Sequence, residues 1–424
     1  MKLNIIQEAN LEGKKVLIRV DHNVVKKGKI KDTYRIDASI PTIEYIMKNG
    51  GKPILMTHVG RPKDKKTGLI NINDETAVTA IVNYLSNKLN KYIEIVDFPN
   101  GAVNSVSDLD SINKSLESLD RGESDIIYLP NTRWFYGEED KGDLKIKFGK
   151  DLAALADIYV NDAFGSWQPH ASTTEPTKYI PAYAGLLMQK EIENLQRVLK
   201  PNRPMVAVVA GSKFDTKIAP LNALLKMADH LIIGGVIYNA YLCAKYGFKI
   251  KGISQEDIDA AQKFVELTKQ YKGKLVELPF IVESDVLEEK VAGKYRTHNI
   301  YELKSGAQLN YILDVDPKSF TESVAKDILV NASTIFVNAV MGFTPNFAEG
   351  TIALDMMIEK NYKANKLLGG GDTLQEFKNL LPDIYEDALK NDKYYLFTGG
   401  GTILKAIQEH SAFELAPVKA LLKK

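Results

Sequence analysis

Three glycine-containing turns in the second half of the chain have the residues to bind an anion. Each follows an apolar run and precedes a helical pattern: VAVVAGSKFDTK at 206–217, KLLGGGDT at 366–373 and YYLFTGGGT at 394–402. At such a junction, backbone N–H groups and the positive end of a helix converge on one point, which favours phosphate. Neither the G-x-x-x-x-G-K phosphate loop nor the G-x-G-x-x-G dinucleotide fingerprint occurs in the chain. The turns therefore predict phosphate binding without a standard nucleotide motif, which disfavours a dinucleotide oxidoreductase.

A simpler interpretation is that each turn only begins a helix of an α/β domain, and a single Gly-Gly-Gly would favour it. Asp372 and Thr373 could cap the next helix through their side-chain oxygens, lie near metal-bound phosphate, or do both. Three such turns in one half of the chain favour an anion site.

Basic and polar residues follow the predicted strands of the first half. They are Arg19, Asp21, Asn23, Arg35, His58, Arg61, Arg133 and His170. The planar guanidinium fork matches the oxygens of phosphate and carboxylate groups. An isolated arginine more often covers a surface or pairs with a carboxylate. Recurrence after successive strands instead predicts a site for a small, multiply charged acid.

The remaining histidines give no sign of a site. His22 is expected to be a surface side chain in a turn, and His230, His298 and His410 lack metal-ligand spacing.

Composition indicates an ordinary globular protein. The chain has 424 residues, and 55 Lys and Arg against 54 Asp and Glu give a net charge of +1. This balance gives no electrostatic reason to expect a nucleic-acid or membrane partner. Cys243 is the single cysteine, so no intrachain disulfide can form, and we expect a buried thiol in a reducing cytoplasm.

No segment resembles a signal peptide or a membrane span. Charged residues interrupt the N-terminal MKLNIIQEANLEGKK before an apolar core develops. Residues 328–348 are uncharged, but Asn331, Asn338, Pro345 and Asn346 interrupt them, which favours a buried strand and loop. We expect a cytoplasmic location.

The elements that must position these residues alternate between strand and helix patterns in both halves. Examples are KKVLIRVD, IPTIEYIMKNGG and KPILMTH in the first half, and MVAVVAG, IAPLNALLKMADH and LIIGG in the second. This rhythm predicts an α/β fold of two doubly wound parallel-sheet lobes with a cleft between them. We expect lobes at 1–183 and 201–404, a hinge helix at 184–200, and a segment 405–424 that returns to the first lobe. Residues 99–124 and the charged GEEDKGDLK at 137–145 are expected to be surface loops.

The chain resembles the phosphoglycerate kinase family over nearly its whole length. The matching motifs are, in order, RVDHNV, RIDASIPTI, THVGRP, LPNTRW, YVNDAFG, HAST, AGLLMQKEIENL, AGSKFDTKI, LIIGG, VNAVMG, LLGGGDT and FTGGGT. The resemblance implies reversible phosphoryl transfer from 1,3-bisphosphoglycerate to Mg-ADP by a monomer, giving 3-phosphoglycerate and ATP, with Mg²⁺ bound to the nucleotide.

The resemblance also implies roles for individual residues. The phosphoglycerate would be held by Asp21, Asn23, Arg35, His58, Arg61, Arg133 and His170, with Arg19 in the surrounding basic patch. The nucleotide would be held by Gly211, Lys213, Lys217, Gly234, Gly235, Asn338, Gly369, Gly370, Gly371, Asp372 and Thr373, with Asp372 near the magnesium and Gly234 and Gly235 lining the adenine slot. Arg35, Lys213 and the amides of Gly399, Gly400 and Gly401 would surround the transferred phosphoryl group.

The chain departs from the family pattern at two places in the expected site. SWQPHAS is one residue shorter than usual and lacks the arginine that normally precedes the HAS element. The stretch from Asn338 to Pro345 lacks the glutamate that usually meets the ribose. Two alternatives therefore remain: a paralogous kinase with another acid or nucleotide, and a nucleotide-binding regulatory protein without turnover. The retained Arg35 and Lys213 favour a working enzyme.

Overall fold

Continuous apolar runs of the chain form the strands of two parallel sheets. The computed structural model describes residues 2–214 and 217–423. The chain divides into two units: unit 1 comprises Met1–Glu193 with Ala412–Lys424, and unit 2 comprises Asn194–Ser411.

Unit 1 is built on a six-stranded parallel sheet within the described residues. Its strands are β1 Lys15–Arg19, β2 Val25–Lys26, β3 Lys29–Ile30, β4 Lys52–Met56, β5 Ile93–Ile95, β6 Ile126–Tyr128, β7 Ile158–Asn161 and β8 Ala182–Ala184. The sheet order is β5-β6-β4-β1-β7-β8, and β2 and β3 form a separate antiparallel pair. In this order the carboxyl ends of β6, β4, β1 and β7 are neighbours at one edge.

Helices cover this sheet with one apolar face each. They are α1 Tyr34–Lys48, α2 Thr79–Leu89, α3 Ile112–Arg121, α4 Asp143–Ala154 and α5 Ala171–Thr174. In α1 the buried side chains include Ile36, Ile43 and Ile46, whose spacing of seven and three residues places them on one side of a helix. They join the core formed with Val16 and Ile18 of β1.

Two further helices complete the connections of unit 1. α6, Leu186–Leu199, carries the chain from unit 1 into unit 2 and ends shortly before Pro201. The C-terminal helix α16, Ala416–Lys419, belongs to unit 1. Its segment forms a bridge between Leu422 and Leu3.

Unit 2 contains a second six-stranded parallel sheet within the described residues. The strands are β9 Met205–Gly211, β10 His230–Gly234, β11 Lys249–Ile250, β12 Leu275–Val276, β13 Phe280–Ser284, β14 Tyr295–Asn299, β15 Gln308–Leu309, β16 Tyr311–Val315, β17 Thr334–Asn338, β18 Asn365–Gly369 and β19 Tyr394–Phe397. The parallel order is β12-β10-β9-β17-β18-β19. The helices are α7 Ile218–Met227, α8 Gly235–Tyr246, α9 Gln255–Gln270, α10 Lys318–Thr321, α11 Val324–Val330, α12 Glu349–Lys360, α13 Gly371–Leu380, α14 Pro382–Ala388 and α15 Gly400–Gln408. The predicted α/β class with two parallel sheets is confirmed.

Two details of the sequence prediction are wrong. The expected surface loop at 99–124 contains α3. This helix has few apolar residues, and two of them, Ile112 and Leu119, are buried. An antiparallel sheet of order β14-β13-β16 was not predicted. Its strand β14 reads YRTHN and is mostly exposed, so it lacks the apolar run that marks the other strands.

No helix among the described residues is long and apolar enough to cross a membrane. Cys243 is buried, as predicted.

Candidate functional site

The basic residues predicted for the first half lie where neighbouring strands of unit 1 end. Arg19 is the last residue of β1, His58 follows β4, Arg133 follows β6, and His170 follows β7. Since these four strands are adjacent and parallel, their loops meet at one edge of the sheet. Arg35 reaches the same region from the first turn of α1.

Arg19 is fully buried and organises the centre of this cluster. Its Nε donates to Ser172 Oγ at 2.8 Å, and its Nη1 donates to the Val20 carbonyl. Its Nη2 lies 2.9 Å from His58 Nδ1. Because a guanidinium only donates, His58 Nδ1 must accept, and this assigns the proton of the neutral ring to Nε2. Burial, and after it the positive charge of Arg19, holds the pKa of His58 well below its usual range. The ring therefore stays in that neutral form.

Glu138 is a buried partner that the sequence analysis missed. It was expected in a surface loop, but it is fully buried. Its carboxylate accepts from Ser172 Oγ at 2.6 Å, Ser172 N–H at 2.9 Å and Thr132 Oγ1 at 3.1 Å. Ser172 thus joins Arg19 to Glu138. The run GEEDKG looked like solvent-exposed charge, and nothing local distinguished Glu138 from its neighbours.

Arg133 and His170 share one carboxylate beside this network. Arg133 Nη2 lies 3.0 Å from Glu139 Oε1, and His170 Nε2 lies 3.8 Å from the same oxygen. Arg133 Nη1 also donates to the Gly60 carbonyl, whereas its Nε is buried without a hydrogen-bond partner in the described part of the chain. Burial is the main cause that lowers the pKa of both Arg133 and His170.

The remaining predicted residues border the same group. Arg35 Nη1 lies 3.5 Å from Asp21 Oδ2. The other carboxylate oxygen of Asp21, Oδ1, is buried and has no hydrogen-bond partner among residues 2–214 and 217–423. Asn23 Oδ1 accepts from the Gly60 N–H at 2.9 Å. Arg61 is exposed, and its charge contributes to lowering the pKa of Arg133.

His22 corrects another sequence prediction. It was expected at the surface, yet its side chain is fully buried and contacts Tyr128 and Ser39. Because His22 lies between two polar site residues in RVDHN, sequence alone suggested a turn in solvent.

In unit 2, three helices begin at glycines that lie one to three residues after a parallel strand. α8 begins at Gly235 after β10, α13 at Gly371 after β18, and α15 at Gly400 after β19. Their N-cap residues are glycines as well, and none makes a side-chain capping bond. The first N–H groups of each helix therefore lack the partner that a capping side chain would supply. Asp372 and Thr373 lie inside the first turn of α13, so the alternative that they cap it is wrong.

Asn338, at the end of β17, connects Lys217 to the turn between β18 and α13. Lys217 Nζ donates to Asn338 Oδ1 at 2.8 Å, and Asn338 Nδ2 donates to the Gly369 carbonyl. Burial lowers the pKa of Lys217, and the nearby charge of Asp372 opposes this shift. The ammonium is therefore held next to the start of α13.

Close approach explains why glycine occupies these turns. A Cβ on Gly400 would lie 2.4 Å from Gly370 Cα and 3.1 Å from Asn338 Nδ2. Gly370 itself has φ +130°, which side-chain-bearing residues rarely adopt. A Cβ on Gly234 would lie 2.6 Å from Met341 Sδ. The turns thus fit together only without side chains.

The other predicted residues lie in the same region of unit 2. Gly211 ends β9 and pairs with Gly235, and a Cβ on it would lie 3.3 Å from Lys217 Cε. Lys213 is exposed in the loop after β9; Asp215 and Thr216 of that loop lie outside the described residues. Thr373 is buried and Asp372 is exposed. Among the described residues, no group of three His, Cys, Asp or Glu side chains could hold a metal ion by itself.

Comparisons with known proteins agree over the whole chain. The family model "Phosphoglycerate kinase" matches residues 6–410. A phosphoglycerate kinase of Dictyoglomus turgidum is 33% identical over 410 residues and 95% of each chain. One of Francisella tularensis subsp. novicida is 33% identical over 429 residues, covering 99% of this chain and 100% of the relative.

Solved structures give the same result. The phosphoglycerate kinase of Coxiella burnetii is 30% identical with a TM-score of 0.74, and the match covers 99% of both chains. That of Pyrococcus horikoshii is 23% identical with a TM-score of 0.79 over 99% of this chain and 98% of the other, which supports the fold. With a family match across nearly its full length and curated relatives above 30% identity, the chain belongs to the phosphoglycerate kinase family.

Proposed function

We propose that unit 1 binds 3-phosphoglycerate or 1,3-bisphosphoglycerate and that the glycine turns of unit 2 bind ATP or ADP. The reaction of the family is ATP + 3-phosphoglycerate = ADP + 1,3-bisphosphoglycerate, and the matches favour it over the paralogue and regulatory alternatives. The observation that carries the proposal is a pair of unsatisfied buried groups in the basic cluster. Arg133 Nε is a donor and Asp21 Oδ1 an acceptor, each without a hydrogen-bond partner in the described chain.

These two groups match the chemistry of the acid. A buried polar group without a partner costs roughly 1–3 kcal/mol, which a bound ligand would offset. Arg133 would donate to an oxyanion, and Asp21 would accept from a hydroxyl hydrogen; 3-phosphoglycerate carries both groups. Arg35, Arg61, His58 and His170 would supply further donors around its charges.

The nucleotide phosphates would lie against the first turns of α13 and α15, beside Lys217 and Lys213. Backbone N–H groups and helix dipoles there favour negative charge. Gly211, Gly234 and Gly235 would lie beside the nucleoside, since they stand at the carboxyl ends of the parallel strands β9 and β10.

Phosphoryl transfer needs alignment and positive charge rather than a protein nucleophile. A β-phosphate oxygen of ADP would attack the 1-phosphoryl phosphorus. The bond between that phosphorus and the bridging carboxyl oxygen would break, and 3-phosphoglycerate would leave with its carboxylate. Arg35, Lys213 and the amides of Gly399 and Gly400 would stabilise the charge of the group in transfer. Since the acid and nucleotide residues belong to different units, closure by hinge bending is part of the proposal.

Magnesium is proposed as the cofactor, held by Asp372 together with nucleotide phosphate oxygens. A single exposed carboxylate fits this ion, which usually binds through one or two carboxylates plus substrate phosphates. When bound, Mg²⁺ would neutralise phosphate charge. We also propose that the protein is cytoplasmic and monomeric. Light scattering of the purified protein would test the monomer.

The deciding experiment is a coupled assay with Mg-ATP and 3-phosphoglycerate, run beside Mg-GTP. Lys213→Ala should lower kcat by about 10²–10³, by analogy with loss of an oxyanion donor. Lys390→Ala, an exposed lysine near the end of α14, is the matched control. Nucleotide binding without any turnover of 3-phosphoglycerate would instead support a changed acid or a regulatory role.

A further inference from the structure

A buried polar relay lies behind the basic cluster of unit 1. It consists of His22, Tyr128 and Ser39, each at most 1% exposed. His22 Nδ1 lies 2.8 Å from Tyr128 Oη, and His22 Nε2 lies 2.8 Å from Ser39 Oγ. Apolar side chains such as Ile18 and Ile43 form much of the core of this unit. Three buried polar groups there need an explanation, since each is costly unless fully bonded.

The protons of the relay can be assigned from its hydrogen bonds. Ser39 Oγ donates its only hydrogen to the Ile36 carbonyl at 2.8 Å, so towards His22 it must accept. His22 Nε2 therefore carries a hydrogen. Burial, with Arg19 second, lowers the pKa of His22 to about 3, so near neutral pH the ring has only that one proton. His22 Nδ1 then accepts from the Tyr128 hydroxyl, whose pKa burial raises well above its usual value.

The relay connects three elements that carry site residues. His22 follows Asp21 at the end of β1, and its own N–H donates to Thr57 Oγ1 at 3.0 Å. Ile36, which receives the Ser39 hydrogen, directly follows Arg35 in the first turn of α1. Tyr128 ends β6, the strand that leads to Arg133. Each residue of the relay is therefore close in the chain to a residue proposed to hold the acid.

We propose that His22 is a positioning residue that holds the N-terminal part of α1, through Ser39 in its second turn, against the end of β1. The side chains of Arg35 and Asp21 would thereby keep their position relative to each other. The pair is 3.5 Å apart and Arg35 is partly exposed, so its own contacts hold it loosely. A directional relay restricts this part of α1 more than apolar packing does, because both ring nitrogens have a single partner each. The inference rests on the proposed acid site, but the relay itself can be tested without turnover.

The first test is the protonation state of His22 in the full-length protein. Two-dimensional NMR correlating ring ¹⁵N and ¹H nuclei should show the Nε2–H tautomer of His22, unchanged from pH 5.5 to 8. Arg19, Asp21 and Tyr128 are the charged and titratable groups around this ring. A ring that titrates in this range, or one protonated on Nδ1, would overturn the relay whatever the enzyme does.

The second test separates positioning from stability. His22→Phe keeps a ring but removes both bonds, and it should lower kcat/KM for 3-phosphoglycerate about 10–100-fold, as a displacement of about 1 Å can. KM for Mg-ATP, measured at saturating acid, should not change. His22→Gln retains one donor and one acceptor and should recover part of the loss. The control, Ser105→Ala, removes a buried hydroxyl bonded to Asp151 in the same unit.

The outcomes are distinct. Positioning is supported if His22→Phe lowers the melting temperature no more than Ser105→Ala does, while only His22→Phe lowers kcat/KM for 3-phosphoglycerate. If the two variants lose equal stability and both keep wild-type kcat/KM, His22 is only structural and the proposal is wrong. If the wild-type protein has no turnover while the NMR result holds, the proposed function fails and the relay stands.

Discussion

The ammonium of Lys217 donates a hydrogen bond to the side-chain carbonyl of Asn338 across 2.8 Å. The amide of the same asparagine donates to the Gly369 carbonyl at the end of β18. One side chain therefore contacts both a partly buried cation and the backbone that leads into α13. In the proposed nucleotide site, Asn338 would therefore position both Lys217 and the turn before α13.

Asn338→Ala should weaken binding of Mg-ADP by roughly 10–100-fold. Hydrogen bonds to charged groups contribute about 1.5–3 kcal/mol, and the substitution leaves Lys217 without this acceptor. Calorimetric titration of the purified protein measures the effect. Asn331→Ala, which removes an exposed amide at the end of α11, should bind the nucleotide like wild type. An unchanged Kd for Asn338→Ala would contradict the role assigned to this residue.

Gly400→Ala should abolish nucleotide binding or prevent the turn from forming. The added Cβ would lie 2.4 Å from Gly370 Cα, a backbone atom that cannot rotate away. Gly101→Ala is the control, because a Cβ there meets nothing within 4 Å. Comparison of the two by thermal unfolding with and without Mg-ADP distinguishes a lost site from a lost fold. A Gly400→Ala protein with wild-type affinity would show that the turn adapts.

Asp355 should make the stability of unit 2 depend on pH. Burial raises the pKa of this carboxyl from its ordinary 3.8 to about 7, so between these values the folded protein holds a proton that the unfolded chain releases. The resulting stability is present below about pH 4 and is lost as the pH rises through 7. The slope is at most about 1.4 kcal/mol per pH unit.

Asp355→Asn cannot ionise, and its free energy of unfolding in urea should fall less between pH 5 and 7.5 than that of wild type. Asp383→Asn, an exposed carboxyl in the first turn of α14, should follow the wild-type curve. Parallel curves for wild type and Asp355→Asn would refute a protonated Asp355.

Removal of the C-terminal segment should destabilise unit 1. A chain ending at Ser411 loses Leu415, Val418 and Leu421, which are all buried, and each buried apolar side chain contributes up to about 1.5–3 kcal/mol. The truncated protein should melt at a lower temperature and lose activity in the coupled assay. Lys419→Ala, which changes only a largely exposed side chain of the same segment, controls for local substitution. An unchanged melting temperature of the truncated chain would rule out this contribution to stability, and full activity would rule out a contribution to turnover.

Most strands of the two parallel sheets, about half of the helices and the glycine turns were predicted from the sequence, because apolar runs, helical spacing and glycine act over a few residues. The same was true of the cations at the strand ends, since parallel strands bring their carboxyl ends together whatever the details of packing. The elements α3 and β14, whose local patterns are weak, were missed, and α9 was not predicted either.

What only the tertiary structure decided is which polar side chains are buried and with whom. Glu138 lies in a charged run, yet it is buried because Ser172, distant in sequence, reaches its carboxylate. His22 was expected in solvent, yet Ser39 and Tyr128 enclose it. The sequence alone determined the family, the fold class and the residue types available for phosphate chemistry. Partner choice between distant residues depends on their separation in space, which no local pattern encodes.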